Sequence, residues 1–428
     1  MSAALLLGGF AFFLVLNAPI GIAIGLAVLL FLLLNPNVTT LRYLAQCMFS
    51  SVDSFPLMAV PFFILAGSLM EGGGLSRRLI RLASSIVGST PGGLATVTVL
   101  ACMFFGAISG SSPATVAAIG SIMIPAMVKE GYDLKFSTAL AACAGGLGVI
   151  IPPSIPMVVY GVATGTSVGK LFIGGFGPGF VTGGALIAVA LYYSLKRGYR
   201  GTGEKFSLRN VITALNDAKW ALFVPIIILG GIYGGVFTPT EAAVIAVVYG
   251  LIVGLFVYKE LKWQDLPKHL VETSLMTGTV LIIVGTATTL GRIMTIEQIP
   301  NQIVQWLLSI SQSRFVILLI INIFLLFVGM VMETLAAILI LGPLLLNVVS
   351  HLGVDPVHFG LLMVLNLAIG FVTPPVGVNL FVACGITKVD FLDLSRNAVP
   401  FIIAMILALM VVTYVPEVTL WLPRILGV

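Results

Sequence analysis

The chain has 428 residues, 59% of them hydrophobic and only 9% charged, with a mean hydropathy of +1.15. Soluble domains carry about 25% charged residues, so a water-soluble fold is excluded and most of the surface must face lipid. The net charge of +5 does not point to nucleic acid, because the Lys and Arg residues sit in a few short loops without interleaved aromatics, as membrane-topology signals do.

In chain order, apolar runs fall near residues 4–16, 20–34, 55–71, 136–165, 170–195, 220–236, 241–258, 275–291, 358–386 and 397–416. Long runs without tight alternation predict helices, not a β-barrel, and a crossing helix needs about 20 residues. The N-terminus, MSAALLLGGF, has no cationic n-region and no A-x-A site, so it reads as a retained helix. Two further apolar stretches are interrupted by polar residues. The first, Gly106-Ala-Ile-Ser-Gly-Ser-Ser-Pro-Ala-Thr115, predicts a re-entrant hairpin near 94–128 with its tip at Ser109–Pro113. The second, Gly329-Met-Val-Met-Glu-Thr-Leu335, predicts another near 315–349. Each is followed by a helix carrying Pro-Pro, at Pro152-Pro153 (near 136–165) and Pro374-Pro375 (near 358–386). The expected fold is an all-α integral membrane protein with about ten transmembrane helices, two re-entrant hairpins and two unwound helices.

The most polar stretch, 196–219, carries Lys196, Arg197, Arg200, Lys205, Arg209 and Lys219 and is assigned to the cytoplasm. The same phase puts Arg77, Arg78, Arg81, Lys129, Lys135, Lys259, Lys262, Lys268, Lys388 and Arg396 inside. Both termini then lie outside.

The two halves repeat one design. Gly148-Val-Ile-Ile-Pro-Pro-Ser-Ile-Pro matches Gly370-Phe-Val-Thr-Pro-Pro-Val-Gly-Val, and Gly131-Tyr-Asp133 matches Gly353-Val-Asp355, both at a separation of 222 positions. Ala18-Pro19 parallels Thr238-Pro239, and Ile64-Leu-Ala-Gly67 parallels Ile282-Ile-Val-Gly285. Matched elements fall on opposite sides of the membrane, so the expected division is a first repeat over 1–195, a cytoplasmic linker over 196–219 and an inverted second repeat over 220–428. Inverted repeats with paired discontinuous helices point to a secondary transporter with its site near the midplane.

Proline lacks an N–H and clashes with the carbonyl one turn earlier. Two in succession free carbonyl oxygens that need partners in hydrocarbon, and a hard cation such as Na+ suits them. One Na+ site is expected from Ser109, Ser112, Gly148, Ile151 and Pro152, and a symmetric one from Gly329, Gly370, Thr373 and Val376. Ser111, Ser154, Thr334, Asn379 and Glu333 are candidates for substrate contacts or for supporting the sites. Glu333, an intramembrane carboxylate, would neutralise a cation, carry a proton or sit in water at a hairpin tip. Glu241 is expected to cap a helix, and Arg292 either draws an anion or snorkels to the interface.

Other classes lack their signatures. Four scattered cysteines, Cys47, Cys102, Cys143 and Cys384, suit neither a metal site nor a redox pair. The histidines, His269, His351 and His358, lie in or beside expected loops and give Ser109 no base. No P-loop is present, so the driving force is an ion gradient. A channel would want a continuous polar pore or charged rings.

Ala18-Pro-Ile-Gly-Ile-Ala, Gly110-Ser-Ser-Pro-Ala-Thr-Val-Ala-Ala, Ile151-Pro-Pro-Ser, Gly235-Val-Phe-Thr-Pro-Thr-Glu-Ala-Ala and Thr373-Pro-Pro-Val-Gly-Val-Asn, in that order, resemble the large membrane subunit of tripartite ATP-independent periplasmic (TRAP) transporters over essentially the whole chain. The resemblance implies Na+-coupled import of an organic acid anion, of C4-dicarboxylate or sialic acid type, across the bacterial inner membrane by an elevator motion. It implies a periplasmic substrate-binding protein and a small four-helix membrane subunit as partners; no small-subunit segment is expected within this chain. Glu333 departs from the pattern, where a shorter acid or a polar residue is expected. A stand-alone divalent-anion symporter with Na+ is the competing reading.

Overall fold

The structure is a computed structural model that describes residues 2–36, 38–201 and 207–427. Lys205 and its neighbours in the expected basic linker lie outside the described residues. All regular structure among the described residues is helical, as a chain in hydrocarbon requires, because a helix satisfies its backbone within itself.

The first half runs through Ser2–Val15, Ile20–Leu34, Leu41–Val52, Ala59–Gly72 and Leu75–Val87. A helical hairpin follows, Gly93–Ser109 and Ser112–Lys129, then a broken helix, Leu134–Gly145 and Leu147–Ile150 continued by Ile155–Thr164, then the long helix Val168–Lys196. The second half runs through Leu208–Tyr233, Pro239–Ile252, Leu266–Ile296 and Ile299–Ile310. Its hairpin is Arg314–Val331 and Thr334–Ser350, its broken helix Pro356–Gly370 and Val378–Thr387, and Phe391–Tyr414 and Glu417–Ile425 close the chain.

Eight helices among the described residues are long and apolar enough to cross a membrane, nine when Leu134–Ile150 and Ile155–Thr164, bent by 41°, are one span. The runs at 4–16 and 20–34 form helices of 14 and 15 residues, each shorter than a single crossing. The Asn17-Ala-Pro19 and Asn35-Pro36 turns end and separate them.

The repeated Gly-x-Asp motif has a common physical cause in both halves. Gly131 (φ +84°) and Gly353 (φ +68°) adopt the left-handed conformation that ends the preceding helix. The amides of Tyr132 and Val354 then reach back to the carbonyls of Met127 and Val349, at 3.0 and 3.1 Å. Asp133 accepts the Phe136 amide at 2.8 Å and Asp355 the Val357 amide at 2.7 Å, starting the next helix. Glu241 and Thr238 form a reciprocal capping box at Pro239–Ile252.

The broken helices occupy the centre. Every residue from Phe136 to Gly161 is buried, as is every residue from Val357 to Gly370. A helix that is apolar all round must be enclosed by others. The helices at the periphery turn large side chains outward, among them Phe12, Phe223 and Phe327.

Candidate functional site

The proline pairs act through the amides they lack. Pro152 and Pro153 cannot serve the carbonyls of Gly148 and Val149, four residues earlier, nor can Pro374 and Pro375 serve those of Gly370 and Phe371. Both Pro-Pro bonds are cis. Three of these four carbonyls find substitutes. Ser154 Oγ donates to the Val149 oxygen at 2.6 Å and also accepts the Met157 amide at 3.4 Å, capping Ile155–Thr164. The Asn379 amide donates to the Phe371 oxygen at 2.9 Å and the Thr373 amide to the Gly370 oxygen at 3.2 Å. The Gly148 carbonyl receives no hydrogen bond among the described residues, nor do those of Ile151, Pro152 and Pro153, or of Val372, Thr373 and Pro374. The first break is wholly buried, whereas Pro375 and Val376 of the second are exposed.

Each hairpin meets its break through glycine. A Cβ at Gly106 would lie 2.9 Å from the Gly148 Cα, and one at Gly370 would overlap the Gly329 carbonyl. Each tip also bonds its break: the Ile155 amide donates to the Gly110 oxygen at 3.3 Å, and the Val376 amide to the Met330 oxygen at 3.4 Å. Thr373 Oγ1 turns back to its own helix, donating to Ile369 at 2.7 Å.

The structure joins Ser112 and Asn379 across the two halves. Asn379 Nδ2 donates to Ser112 Oγ at 2.8 Å and to the Ala142 carbonyl at 3.0 Å, while Ser112 Oγ lies 3.1 Å from the Gly145 oxygen, to which it donates. Both residues are fully buried. Asn379, from beyond the second break, therefore supports the first hairpin and the first broken helix.

Other expected residues take different positions. The Ser109 backbone packs closely on Gly67 of Ala59–Gly72, where a Cβ would lie 3.2 Å from the Ser109 oxygen. Ser111 and Thr115 sit against Gly148 instead: the Ser111 oxygen would lie 2.6 Å from a Cβ there, and Thr115 Oγ1 donates to that oxygen at 2.7 Å. Glu333 accepts the Ala336 amide at 3.0 Å and caps the second hairpin helix, which buried Thr334 begins. Arg292 is exposed and reaches Cys47 Sγ at 3.6 Å.

Two features escape a reading of the sequence. Thr115 carries one signal, its place three residues after Ser112 on the same helix face. The second is a buried chain through the second half. Asn366 Nδ2 donates to Asn322 Oδ1 at 3.1 Å, Asn322 Nδ2 to Thr413 Oγ1 at 2.9 Å, and His358 Nδ1 meets Thr419 Oγ1 at 2.8 Å. Single polar residues in separate apolar runs give no hint that they meet.

No group of three or more His, Cys, Asp or Glu among the described residues is placed to hold a metal ion. The oxygens gathered at the breaks are carbonyl and hydroxyl groups, the donors that hard cations take.

Two helical hairpins set against two proline-broken helices at the centre of a membrane bundle define a secondary transporter. The chain matches the family described as "Tripartite ATP-independent periplasmic transporter, DctM component" over residues 7–418, and it belongs to that family as its large, multi-pass membrane subunit. It is 52% identical to the isethionate TRAP transporter permease protein DctMQ of Oleidesulfovibrio alaskensis, over 97% of this chain and 65% of that protein's length. It is 44% identical to the C4-dicarboxylate TRAP transporter large permease protein DctM of Pseudomonas aeruginosa, over 95% of this chain and 94% of that one. Its fold is similar to the YdaH transporter of Alcanivorax borkumensis, with a TM-score of 0.66 at 17% identity over 90% and 89% of the two chains.

Proposed function

We propose that this subunit carries a small organic acid anion inward across the bacterial inner membrane, coupled to Na+. A periplasmic substrate-binding protein delivers the solute, and a small four-helix membrane subunit completes the assembly. Residues 1–195 and 220–428 act as inverted repeats joined by a cytoplasmic linker at 196–219, with both termini periplasmic. The hairpins and broken helices move together as an elevator against the remaining helices.

The observation that carries this reading is the pair of hairpin-on-break junctions, each with backbone carbonyls that receive no hydrogen bond among the described residues. An unpaired carbonyl in a buried site is costly, and a bound Na+ would offset that cost. The first ion would take oxygens from the Gly148 and Ile151 region with Ser112 nearby; the second would take the unpaired Thr373 carbonyl together with Gly370, whose carbonyl already accepts the Thr373 amide, and exposed Val376. A cation crossing 100 mV releases about 2.3 kcal/mol, so two supply about 4.6 before any concentration gradient. The relatives' names specify isethionate and C4-dicarboxylates, and small carboxylates and sulfonates of that size are the solutes we assign to this chain. Ser111, Thr334 and Asn379 are the residues we take as contacting these solutes or supporting the ion sites.

The test is uptake into proteoliposomes holding the large and small subunits, with the binding protein outside and a panel of organic acids. Uptake should require both Na+ and the binding protein. Equal uptake with K+ replacing Na+ would sink the coupling, and full uptake without the binding protein would favour a stand-alone symporter.

A further inference from the structure

We infer that the basic end of this subunit holds a built site for the phosphate of an anionic phospholipid, apart from the transport machinery. Helices Leu75–Val87 and Leu208–Tyr233 both line a cavity of about 1050 Å³ there. Arg77, Arg78, Arg81, Arg209 and Lys219 line it. Two carboxylates answer them. Arg78 pairs with Glu260 at 2.6 Å, Arg81 with Asp217 at 2.9 Å, and Arg77 lies 3.6 Å from Glu260. Among the described residues, five cations against two acids leave three positive charges in surplus. Arg209 has no acidic partner among the described residues, and Lys219 bonds the neutral Asn216 at 3.0 Å and lies 5.7 Å from the centre of the Trp220 ring.

The cavity is organised and not merely charged. The Arg78 guanidinium lies 3.6 Å from the centre of the Tyr258 ring, which fixes it in place, and the Tyr258 hydroxyl donates to the Asp217 carbonyl at 2.8 Å. Arg78 Nε is buried without a hydrogen-bond partner, and lies 3.7 Å from the Asp217 carboxylate. Leu208–Tyr233 begins at the cavity, and its cap residue Ser207 makes no side-chain cap bond, so the positive end of the helix adds to the field. Phosphate suits such a set of forked and point donors.

The surroundings select a lipid over a soluble phosphate. On the flank of the same helix, Leu208, Ile212 and Leu215 form an exposed apolar stripe at helical spacing, 66%, 59% and 47% exposed. Trp220 lines the cavity and is also exposed, as aromatic anchors at the headgroup level are. A headgroup in the cavity would lay its acyl chain on that stripe. Loop charge assigns this end to the cytoplasm, the side where basic pockets between helices hold anionic headgroups.

The experiment is thermal unfolding of the full chain in detergent, titrated with phosphatidylglycerol, phosphatidylcholine or inorganic phosphate. Phosphatidylglycerol should raise the midpoint at low mole fraction, and the zwitterionic lipid and free phosphate should not. Arg209 and Lys219 hold no ion pair among the described residues, so Arg209→Ala with Lys219→Ala leaves the Arg78 and Glu260 contact intact. The double variant should raise the phosphatidylglycerol half-saturation on the order of thirtyfold, and Arg209→Lys with Lys219→Arg should restore most of it. An unchanged half-saturation, or equal effects of the two lipids, would overturn the site. Equal stabilisation by inorganic phosphate would overturn the lipid as its source. Loss of the lipid effect when the small subunit is co-purified would make the cavity a protein interface, and the inference fails.

Discussion

Glycine at the junctions is a packing requirement. Gly148 and Gly370 lie where any side chain would meet the backbone of a hairpin. Overpacking of this kind costs about 1–3 kcal/mol when the structure can shift and more when backbone is the obstacle. Gly148→Ala and Gly370→Ala should therefore each lower the thermal midpoint and weaken Na+ activation of uptake. Gly184→Ala and Gly385→Ala, which meet nothing within 4 Å, are the controls. Unchanged Na+ titrations in both junction variants would refute the cation assignment. Glu333 tests a different idea. Its oxygen caps a helix, and Gln retains such an oxygen while removing the charge. Glu333→Gln should transport nearly as well as the parent chain, whereas Glu333→Ala loses about 1 kcal/mol of stability with the cap. Uptake abolished by Gln would show that the charge itself takes part.

At the scale of elements, the chain is punctuated by short motifs whose meaning is local. The left-handed glycine and following Asp of Gly131–Asp133 and Gly353–Asp355 stop one helix and start the next without help from distant residues. This is why the hairpins and broken helices were legible in the sequence, with ends within a few residues of those observed. The same turn ties the start of the linker. The Tyr132 hydroxyl donates to the Arg200 carbonyl at 3.2 Å, and its ring packs on Tyr199. Tyr132→Phe should cost about 0.5–1.5 kcal/mol, read as a lower thermal midpoint. Burial pushes the Tyr132 phenol up to about 12. A raised value favours the protonated form, so this contribution is complete below the ordinary tyrosine pKa of about 10 and fades as pH rises through the raised one. The difference between the two proteins should stay constant from about pH 6 to 9 and shrink only above about 10.

On the scale of the whole molecule, the two halves share many contacts, and one of them is a fully buried side-chain pair. Asn379 and Ser112 are 267 residues apart, and their bonds join the element after the second break to the first hairpin. Asn379→Ala removes the donor to both the Ala142 carbonyl and Ser112 Oγ, while Ser112 keeps its bond to the Gly145 carbonyl, so it should impair stability more than Ser112→Ala. A double-mutant cycle should show coupling of about 0.6–1.7 kcal/mol, the range of interhelical hydrogen bonds in membranes. Additive effects would mean that the contact carries no weight.

Composition alone determined that this chain lives in lipid, and its proline pairs, glycines and caps determined where helices begin, break and end. Those are properties of neighbours along one chain, where backbone sterics and missing amides act within a turn. Only the tertiary structure decided that Asn379 supports the first hairpin, that Ser109 faces Gly67 while Thr115 and Ser111 face Gly148, and that the arginines near residue 78 share a cavity with Arg209. Periodicity tells which residues share a face of a helix. It does not tell which other helix that face meets, because this depends on how all the helices pack together.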